Sequence, residues 1–302
     1  MNKHAYLIMA HNNFDFLKKE LLLLDDERND IFIHVDKKAK DINMTSVIEN
    51  IKKSKVYFIP RRKIKWAGYS GIQCELELLR SAIKEGQYAY YHLLSGADLP
   101  LKSQDEIHEF FFQHQGKEFV SFDRKTPRLE DLNRAKRYYF IQEIYGRNRK
   151  NPILLALFIL DKISIKAQKV LNVNRFRKEQ GLQLQKGPNW FSITHELALY
   201  VLKKEPWIKR YFSYTRSGDE VFLQTIVNNS KFKERLYQDG LTKNNNACLR
   251  KIDWGRGKPY VWRVQDYEEL INSGCLFARK FDPGVDEKII NMLYDNVMKD
   301  EK

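Results

Sequence analysis

Alternating segments in the first half of the chain predict strands separated by helices. Five short runs are apolar and rich in Ile, Val, Phe and Tyr, which is typical of buried strands. These runs are His4–Met9, Asp30–Asp36, Lys55–Pro60, Tyr88–Leu94 and Glu118–Asp123. Between them, apolar residues recur every three or four positions, which predicts amphipathic helices. This order predicts an α/β protein with a mostly parallel sheet covered by helices on both faces.

Capping signals support two of the predicted helices. Asn12 or Asn13 can cap the first helix, and Ser70 can cap the third. The apolar faces of these two helices are Phe14, Leu17, Leu21 and Leu24, and Ile72, Leu76, Leu79 and Ile83. Shorter helices are predicted over 45–53 and 105–113.

The rest of the chain differs in composition. Residues 128–177 have a helical pattern, many Tyr residues and a strong basic charge, and the last third mixes short strands and helices. We find no internal repeat, low-complexity tract or linker rich in Gly, Pro or Ser. The pattern predicts one domain over 1–302, with a basic helical insertion at 126–180 between the halves 1–125 and 181–302.

Polar residues follow three of the predicted strands. Ala10 and His11 follow the first, Asp36 follows the second, and Ser95–Asp98 follows the fourth. Ligands of parallel α/β sheets bind beyond the carboxyl ends of the strands. Each cluster alone is also ordinary turn chemistry, because Asp, Asn, Ser and Gly favour turns. Three clusters at one edge favour a binding site.

The charge of the chain limits its partners. Its 53 Lys and Arg exceed its 39 Asp and Glu, for a net charge of +14 over 302 residues. Such an excess attracts phosphate on a nucleotide, a nucleic acid or an anionic membrane, or it is simply a solvated surface. The three cysteines form no CxxC pair, so neither a disulfide framework nor a zinc site is predicted, and a reducing compartment is expected. The N-terminal apolar run is too short for a signal peptide and predicts a strand.

Eight motifs in order resemble those of one enzyme family. They are AYLIMAHNNFDFL, IFIHVDKKA, KWAGYSGIQCELELLRSAI, YYHLLSGADLPLKS, GPNWFSIT, SGDEVFLQTI, LRKIDW and LFARKFD. Together they resemble the core-2/I-branching β-1,6-N-acetylglucosaminyltransferases and the related peptide O-xylosyltransferases, in a compact bacterial form. The resemblance implies a GT-A type, Rossmann-like fold, a nucleotide-sugar donor, inversion at the anomeric carbon and catalysis without a divalent metal. It assigns nucleotide binding to the first half of the chain, and acceptor binding and catalysis to the last part.

The resemblance also implies the catalytic groups. Glu220 matches the family's catalytic base, although Gly218 stands where the family usually has Pro in Pro-Asp-Glu. Arg250 and Lys280 match the two positions that bind the diphosphate, where fixed cations take the place of a metal. Arg279 is next to Lys280 and points the opposite way if the segment is a strand.

The stretch SGADLP offers one carboxylate rather than two closely spaced ones, so it would hold a metal poorly. Asp98, with Ser95 and Gly96, is expected to contact hydroxyls of the donor sugar or the acceptor. The alternative that Asp98 only caps the turn is equally open. Tyr69 and Trp190 either line the acceptor pocket or fill the core.

The uridine end of the donor is expected at the first two strands. Trp66 falls where the family presents an aromatic ring to the base, and stacking suits a pyrimidine. Asp36 would accept hydrogen bonds from the ribose hydroxyls or the uracil N–H. Ala10 and His11 would offer backbone contacts, although His11 is equally well explained as a polar turn residue.

These expectations describe a glycosyltransferase of surface polysaccharide or glycoprotein glycan synthesis that requires no cofactor. UDP-GlcNAc is the first candidate donor and UDP-xylose the next, with UDP-glucose and UDP-galactose open. The acceptor is a glycan, lipid-linked in one version of the hypothesis. A cytoplasmic location is expected. The rival class is a basic nucleic-acid-binding protein, but none of its common motifs is present, so no nucleic-acid partner is expected.

One apolar run, PILLALFIL at Pro152–Leu160, is too short to span a bilayer. It lies between Arg147–Lys150 and the basic residues Lys162, Lys166 and Lys169. Such a segment is either a core helix with a basic solvent face or a helix in the interface of an anionic membrane on the inner face of the cell.

Overall fold

A six-stranded sheet forms the centre of the computed structural model, which describes residues 3–40, 42–147, 150–238 and 247–299. The strands are β1 His4–Ala10, β2 Asn29–Val35, β3 Lys55–Phe58, β4 Tyr90–Ser95, β5 Asp98–Pro100, β6 Phe119–Val120, β7 Phe191–Thr194, β8 Arg250–Ile252 and β9 Phe277–Arg279. The helices are α1 Phe14–Leu23, α2 Met44–Ile48, α3 Tyr69–Glu85, α4 Gln104–Gln113, α5 Leu129–Lys136, α6 Gln142–Tyr145, α7 Pro152–Val170, α8 His195–Lys203, α9 Glu205–Phe212, α10 Phe222–Asn228, α11 Tyr267–Ile271 and α12 Glu287–Lys299.

The central sheet has the order β3-β2-β1-β4-β7-β6. β1 pairs in parallel with β2 and β4, and β2 pairs in parallel with β3. β7 is antiparallel to both of its neighbours, β4 and β6. It therefore runs opposite to the other five strands of this sheet. The predicted α/β class and mostly parallel sheet are confirmed.

Helices cover both faces of this sheet, as predicted. Successive side chains of a strand point to opposite faces, and both faces of β1 are apolar. Tyr6 packs with Leu17 of α1 and Ile107 of α4 on one side, while Leu7 packs with Leu79 of α3 on the other. The carboxyl ends of β1, β2 and β4 therefore form a common edge above a dry core.

A second, three-stranded sheet, in the order β5-β9-β8, lies beside that edge. Asp98 pairs with Arg279 and Pro100 with Phe277 in an antiparallel register. The sequence predicts only a turn at Asp98–Pro100, so this expectation was incomplete. A three-residue strand that contains Pro has little local signal, and here its partner lies far along the chain.

Two predicted helix caps differ from the structure. Asn13 does stand before α1, but it adopts a left-handed conformation (φ 52°) and its side chain makes no capping bond. Ser70 lies inside α3, because the helix starts at Tyr69 after Gly68. The Ser70 N–H and hydroxyl instead donate to the two oxygens of Glu143, at 2.7 and 3.1 Å. A Cβ at Gly68 would lie 2.3 Å from Glu143 Oε1, so this cap from a distant segment needs glycine there.

The basic insertion contributes α5, α6 and α7 between β6 and β7. The apolar run PILLALFIL forms the first half of α7. Within the described ranges, none of the helices combines the length and the apolar character that a membrane crossing needs.

Candidate active site

The polar clusters predicted at the sheet edge do lie together. The Asp36 N–H donates to the carbonyl of Ala10 at 2.9 Å, which joins the ends of β1 and β2. A Cβ at Gly96 would lie 3.2 Å from the Cβ of Ala10, so glycine lets the turn after β4 approach β1 closely. His11 is exposed next to them. The carboxyl edge of the sheet is thus a small polar platform.

Asp36 holds the segment that carries Trp66 against this platform. Its carboxylate is 4% exposed and accepts from the backbone N–H groups of Lys38 at 2.8 Å and Ile64 at 3.4 Å. The Lys38 ammonium lies 3.2 Å from the same carboxylate and donates to the Ile64 carbonyl at 2.6 Å. Asp36, which was predicted to bind the nucleotide, therefore holds the neighbouring loop in place.

His11 lies near both acidic and basic side chains. Partial burial lowers the pKa of His11, Asp36 opposes that change, and Lys280, Lys38 and Arg279 lower the pKa further. The imidazole is therefore neutral at pH 7. Three cations and one acid thus act on His11 at this edge.

Asp98 forms an ion pair that the sequence analysis did not foresee. Its carboxylate, 1% exposed, lies 2.6 Å from the Arg279 guanidinium and accepts from the Ser95 N–H at 2.8 Å and the Ser95 hydroxyl at 3.1 Å. Arg279 also donates to the Ser95 hydroxyl, and its guanidinium carbon lies 4.3 Å from the centre of the Trp190 ring. Arg279, which the sequence analysis set aside, is thus a central residue of the site. Asp98 is turned toward the protein.

Arg250 and Lys280 have different environments. Arg250 is 1% exposed and donates to the Ser192 hydroxyl at 2.9 Å and the Phe191 carbonyl at 2.8 Å, and burial lowers its pKa. Lys280 is half-buried, and its ammonium has no ion-pair partner in the part of the chain that the structure describes. Of the two predicted phosphate ligands, Lys280 is the one that can reach a ligand without losing internal bonds.

Glu220 lies in a short 3₁₀ turn, Gly218–Glu220, directly before α10. Two cations contact one of its oxygens: the Arg134 guanidinium lies 3.0 Å and the Lys186 ammonium 3.5 Å from Oε2. Its other oxygen, Oε1, receives no hydrogen bond from the described residues. The side chain is 36% exposed. The carboxylate is thus fixed at one oxygen and open at the other.

Two further acids form a cluster with Glu220: Asp219, next to it in the chain, and Glu75 on α3. Burial and the charge of Glu220 raise the pKa of Asp219 to about 7, and the buried Asp219 Oδ1 has no hydrogen-bond partner. Burial, and then Asp219, raise the pKa of Glu75 well above its ordinary value. This acidic cluster favours the protonated form of its inner members.

We expect this cluster to make folding stability depend on pH. The folded state keeps a proton on Asp219 that the unfolded chain has released, so this stabilisation is present at low pH and is lost as the pH rises through about 7. Between about pH 5.5 and about pH 8, Asp219 alone should lower the free energy of unfolding by about 2 kcal/mol. Urea unfolding at both pH values measures this fall in the free energy of unfolding. In Asp219→Asn, the fall should be smaller than in the parent protein by about 2 kcal/mol. Equal losses in the two proteins would contradict a protonated Asp219.

Trp66 is 41% exposed, and two arginine side chains lie close to its ring. The guanidinium carbon of Arg147 is 4.3 Å and that of Arg216 is 5.6 Å from the ring centre. The Ser217 N–H donates to the Ala67 carbonyl at 2.8 Å, which ties the Trp66 segment to the turn that carries Glu220. The ring is therefore accessible but already partly covered by arginine.

The residues predicted for the acceptor pocket are mostly buried. Tyr69 is the first residue of α3 and belongs to the core, and burial raises its pKa to about 12. Trp190 is 7% exposed and carries Arg279 on its face. Tyr69 therefore fits the alternative that it fills the core. Trp190 is also buried, but its ring packs against the Arg279 guanidinium.

One segment, 186–190, connects the two parts of the site. The Gly187 N–H donates to the Glu220 carbonyl at 3.0 Å, Lys186 contacts the Glu220 carboxylate, and Trp190 lies against Arg279. A Cβ at Gly187 would lie 2.0 Å from the Ser121 carbonyl oxygen, so the segment needs glycine to pack there. The segment thus links Glu220 to the cations near the sheet edge.

Sequence reasoning missed Arg134 and Lys186 as well as Arg279. Lys186 directly precedes the motif GPNWFSIT, and that position was an available signal. Arg134 lies on α5, among many other cations, with no comparable signal. Among the described residues, no group of three or more His, Cys, Asp or Glu side chains is placed to share a metal ion.

A comparison with protein families decides the relationship of this chain. The model of the Core-2/I-Branching enzyme family matches residues 4–270. The chain belongs to this family. Membership confirms the family resemblance seen in the eight motifs.

Curated relatives of this family member are xylosyltransferases. Xylosyltransferase 2 of Homo sapiens is 22% identical over 308 residues, which cover 96% of this chain and 33% of that protein. Xylosyltransferase 1 of Homo sapiens is 22% identical over 280 residues, covering 87% of this chain and 27% of that protein. The chain thus spans about a third of the length of these relatives. The matches support the predicted glycosyltransferase class.

Two solved structures show weaker similarity to this family member. Mouse xyloside xylosyltransferase 1, in its apo form, has a TM-score of 0.35 at 11% identity and covers 76% of this chain and 82% of that one. HddC from Yersinia pseudotuberculosis has a TM-score of 0.27 at 17% identity and covers 40% of this chain and 57% of that one.

Proposed function

We propose that this family member is an inverting, metal-independent glycosyltransferase that moves a sugar from a UDP-sugar to a hydroxyl of a glycan acceptor. The observation that carries the proposal is the setting of Glu220. Arg134 and Lys186 hold one carboxylate oxygen, and the other is free of partners among the described residues. A general base needs this combination of fixed position and open oxygen.

The free oxygen of Glu220 would accept the proton of the acceptor hydroxyl. The hydroxyl oxygen then forms a bond to the anomeric carbon while the bond to the UDP oxygen breaks. One carboxylate suffices for this single displacement, and inversion follows from attack on the face opposite the leaving group. Arg134 and Lys186 act as positioning residues, because they touch the base and not the reacting atoms.

The departing diphosphate requires positive charge. Lys280 is the proposed direct ligand, since its ammonium has no ion-pair partner in the described ranges. Arg250 would add fixed charge from inside the protein, because its guanidinium donates to Ser192 and to backbone carbonyls. Lys280, Lys38 and Arg279 all lie close enough to His11 to lower its pKa, so several cations are available at this edge.

The setting of Asp98 supports catalysis without a metal. A carboxylate that binds a divalent ion must offer its oxygens to that ion, together with several further oxygen ligands. Asp98 is instead neutralised by Arg279 at 2.6 Å and saturated by Ser95. A protein cation therefore already neutralises this carboxylate.

The donor and acceptor follow from less direct arguments. Asp36 and the accessible ring of Trp66 are proposed to receive the uridine, with Ala10, His11 and Gly96 beside the diphosphate and sugar. GlcNAc is the first candidate sugar on the family resemblance, and the xylosyltransferase relatives keep UDP-xylose next to it. The acceptor is proposed to be a glycan of surface polysaccharide or glycoprotein synthesis.

Release of UDP from a panel of donors tests this function. We expect the protein to hydrolyse or transfer from one or more of UDP-GlcNAc, UDP-xylose, UDP-glucose and UDP-galactose, with turnover unchanged within about twofold in excess EDTA. Turnover that EDTA abolishes and manganese or magnesium restores would overturn metal independence. No binding or turnover of any UDP-sugar, together with salt-sensitive binding of oligonucleotides, would overturn the proposed function.

A further inference from the structure

The most deeply buried residues of helix α7 are polar. Asp161 is 2% exposed and accepts from the Tyr145 hydroxyl at 2.7 Å. Gln168 is buried too, accepting from the Tyr138 N–H at 2.8 Å and donating to the Tyr138 carbonyl at 2.9 Å. These are the two buried residues of a 19-residue helix. In a surface helix of a globular protein, the apolar stripe normally faces the core, so this arrangement is inverted.

The opposite side of α7 is apolar and exposed. We call it the α7 apolar face; its residues, with their exposed fractions, are Ile153 (71%), Ile159 (50%), Leu160 (54%), Ile163 (57%) and Val170 (87%). At about 100° per residue these positions fall within roughly one third of the helix circumference. The solvent side of α7 is thus apolar as well as basic, which the alternative of a core helix with a basic solvent face did not predict.

Exposed cations accompany this face. Lys162, Lys166 and Lys169 are exposed and lie along one flank of the apolar stripe. The acidic residue of α7, Asp161, is turned inward. The exposed surface of the helix therefore combines bulky apolar side chains with positive charge and no acid.

We propose that the α7 apolar face binds the interfacial region of an anionic lipid bilayer, with the helix lying in the membrane plane. Exposed isoleucine and leucine would enter the boundary of the acyl chains, while the lysines would meet anionic headgroups. A second copy of this chain is a poorer occupant. A twofold contact places the same surface on both partners, so it would bring the lysine flanks together without opposing acids. The inference concerns this surface and does not depend on the proposed sugar transfer.

Co-sedimentation with vesicles tests the inference on the full chain. The probes are vesicles of mixed phosphatidylglycerol and phosphatidylcholine, and vesicles of phosphatidylcholine alone. We expect binding to the mixed vesicles at low salt, weaker binding at high salt, and little binding to the neutral vesicles. The double variant Ile159→Gln/Ile163→Gln should weaken binding to the mixed vesicles at least about tenfold.

Matched variants distinguish binding through the α7 apolar face from nonspecific hydrophobic binding and from the effect of net charge. Phe112→Gln removes an exposed apolar side chain on a different helix, α4, and should bind like the parent. The triple change of Lys162, Lys166 and Lys169 to Gln should weaken binding more than the same change at the exposed Lys52, Lys53 and Lys55, although each lowers the net charge by three from +14. Because all these side chains are exposed, unchanged unfolding midpoints should show that the variants remain folded.

Three results would overturn the proposal. The first is no binding of the parent protein to mixed vesicles at low salt. The second is equal binding by the isoleucine variant and the parent. The third is a dimer in solution that the isoleucine variant dissociates, with no vesicle binding, which would assign the α7 apolar face to a second copy of the chain.

Discussion

Replacing Glu220 with glutamine should lower turnover about a thousandfold and leave UDP affinity unchanged within about twofold. Loss of a general base typically lowers the rate by about two to four orders of magnitude. Glutamine keeps the shape of the side chain and its amide oxygen can still accept from Arg134 or Lys186, so the turn should persist. UDP release and calorimetric titration with UDP measure the two quantities separately.

The neighbouring acid provides the matched control. Asp219→Asn makes the same chemical change one residue earlier, in a group whose raised pKa of about 7 already leaves it partly protonated at neutral pH. We expect this variant to lose far less turnover than Glu220→Gln at pH 7. Near-normal turnover in Glu220→Gln would place the base elsewhere, with Asp219 and Asp98 as the next candidates.

Removing the Arg279 guanidinium should destabilise the fold by about 3 kcal/mol or more. In Arg279→Met, the buried Asp98 carboxylate loses its charge partner, and breaking one side of a buried pair typically costs about 3–5 kcal/mol. Glu20 lies nearby with both oxygens buried and without hydrogen bonds, and burial and Asp98 raise its pKa well above the ordinary value. Glu20 is therefore neutral and provides no charge that could replace the lost partner of Asp98. Chemical denaturation measures the change in the free energy of unfolding.

Two further variants distinguish charge from packing. Arg279→Lys keeps the charge, so it should retain most of the stability. The part that it loses measures the planar contact with Trp190. The double variant Asp98→Asn/Arg279→Met removes both charges and should recover more than half of the loss. A loss below about 1 kcal/mol in Arg279→Met would show that the ion pair does not stabilise the junction of the two sheets.

The order of strands and helices in the first half was predictable because each element has a clear local pattern. Runs such as DIFIHV are continuously apolar, and the helices between them repeat with the helical period. The reversed strand β7 and the short strand β5 were not predictable in this way. Their identity depends on partners far along the chain, such as Arg279 for Asp98, 181 positions away.

The site was predictable where it follows a strand or a motif. The grouping of Ala10, His11, Asp36 and Gly96 follows from the rule that parallel strands end at one edge. The partners of Glu220 were not predictable, because Arg134 and Lys186 are two of 53 basic residues. The alternation of a strand shows that Arg279 and Lys280 diverge, but not which of them faces Asp98.

The position of the basic insertion has a consequence for exchange between relatives. β6 and β7 are adjacent antiparallel strands, and Val120 is paired with Phe191, so residues 121–190 leave and re-enter the sheet at neighbouring positions. The entropy of closing such a loop grows slowly, by about 0.6 kcal/mol for each doubling of its length. A shorter or longer stretch can therefore replace it without changing the strand register. Because Arg134, Lys186, Trp190 and α7 all lie within residues 121–190, such a hybrid would acquire new partners for Glu220 and a new outer surface in one step.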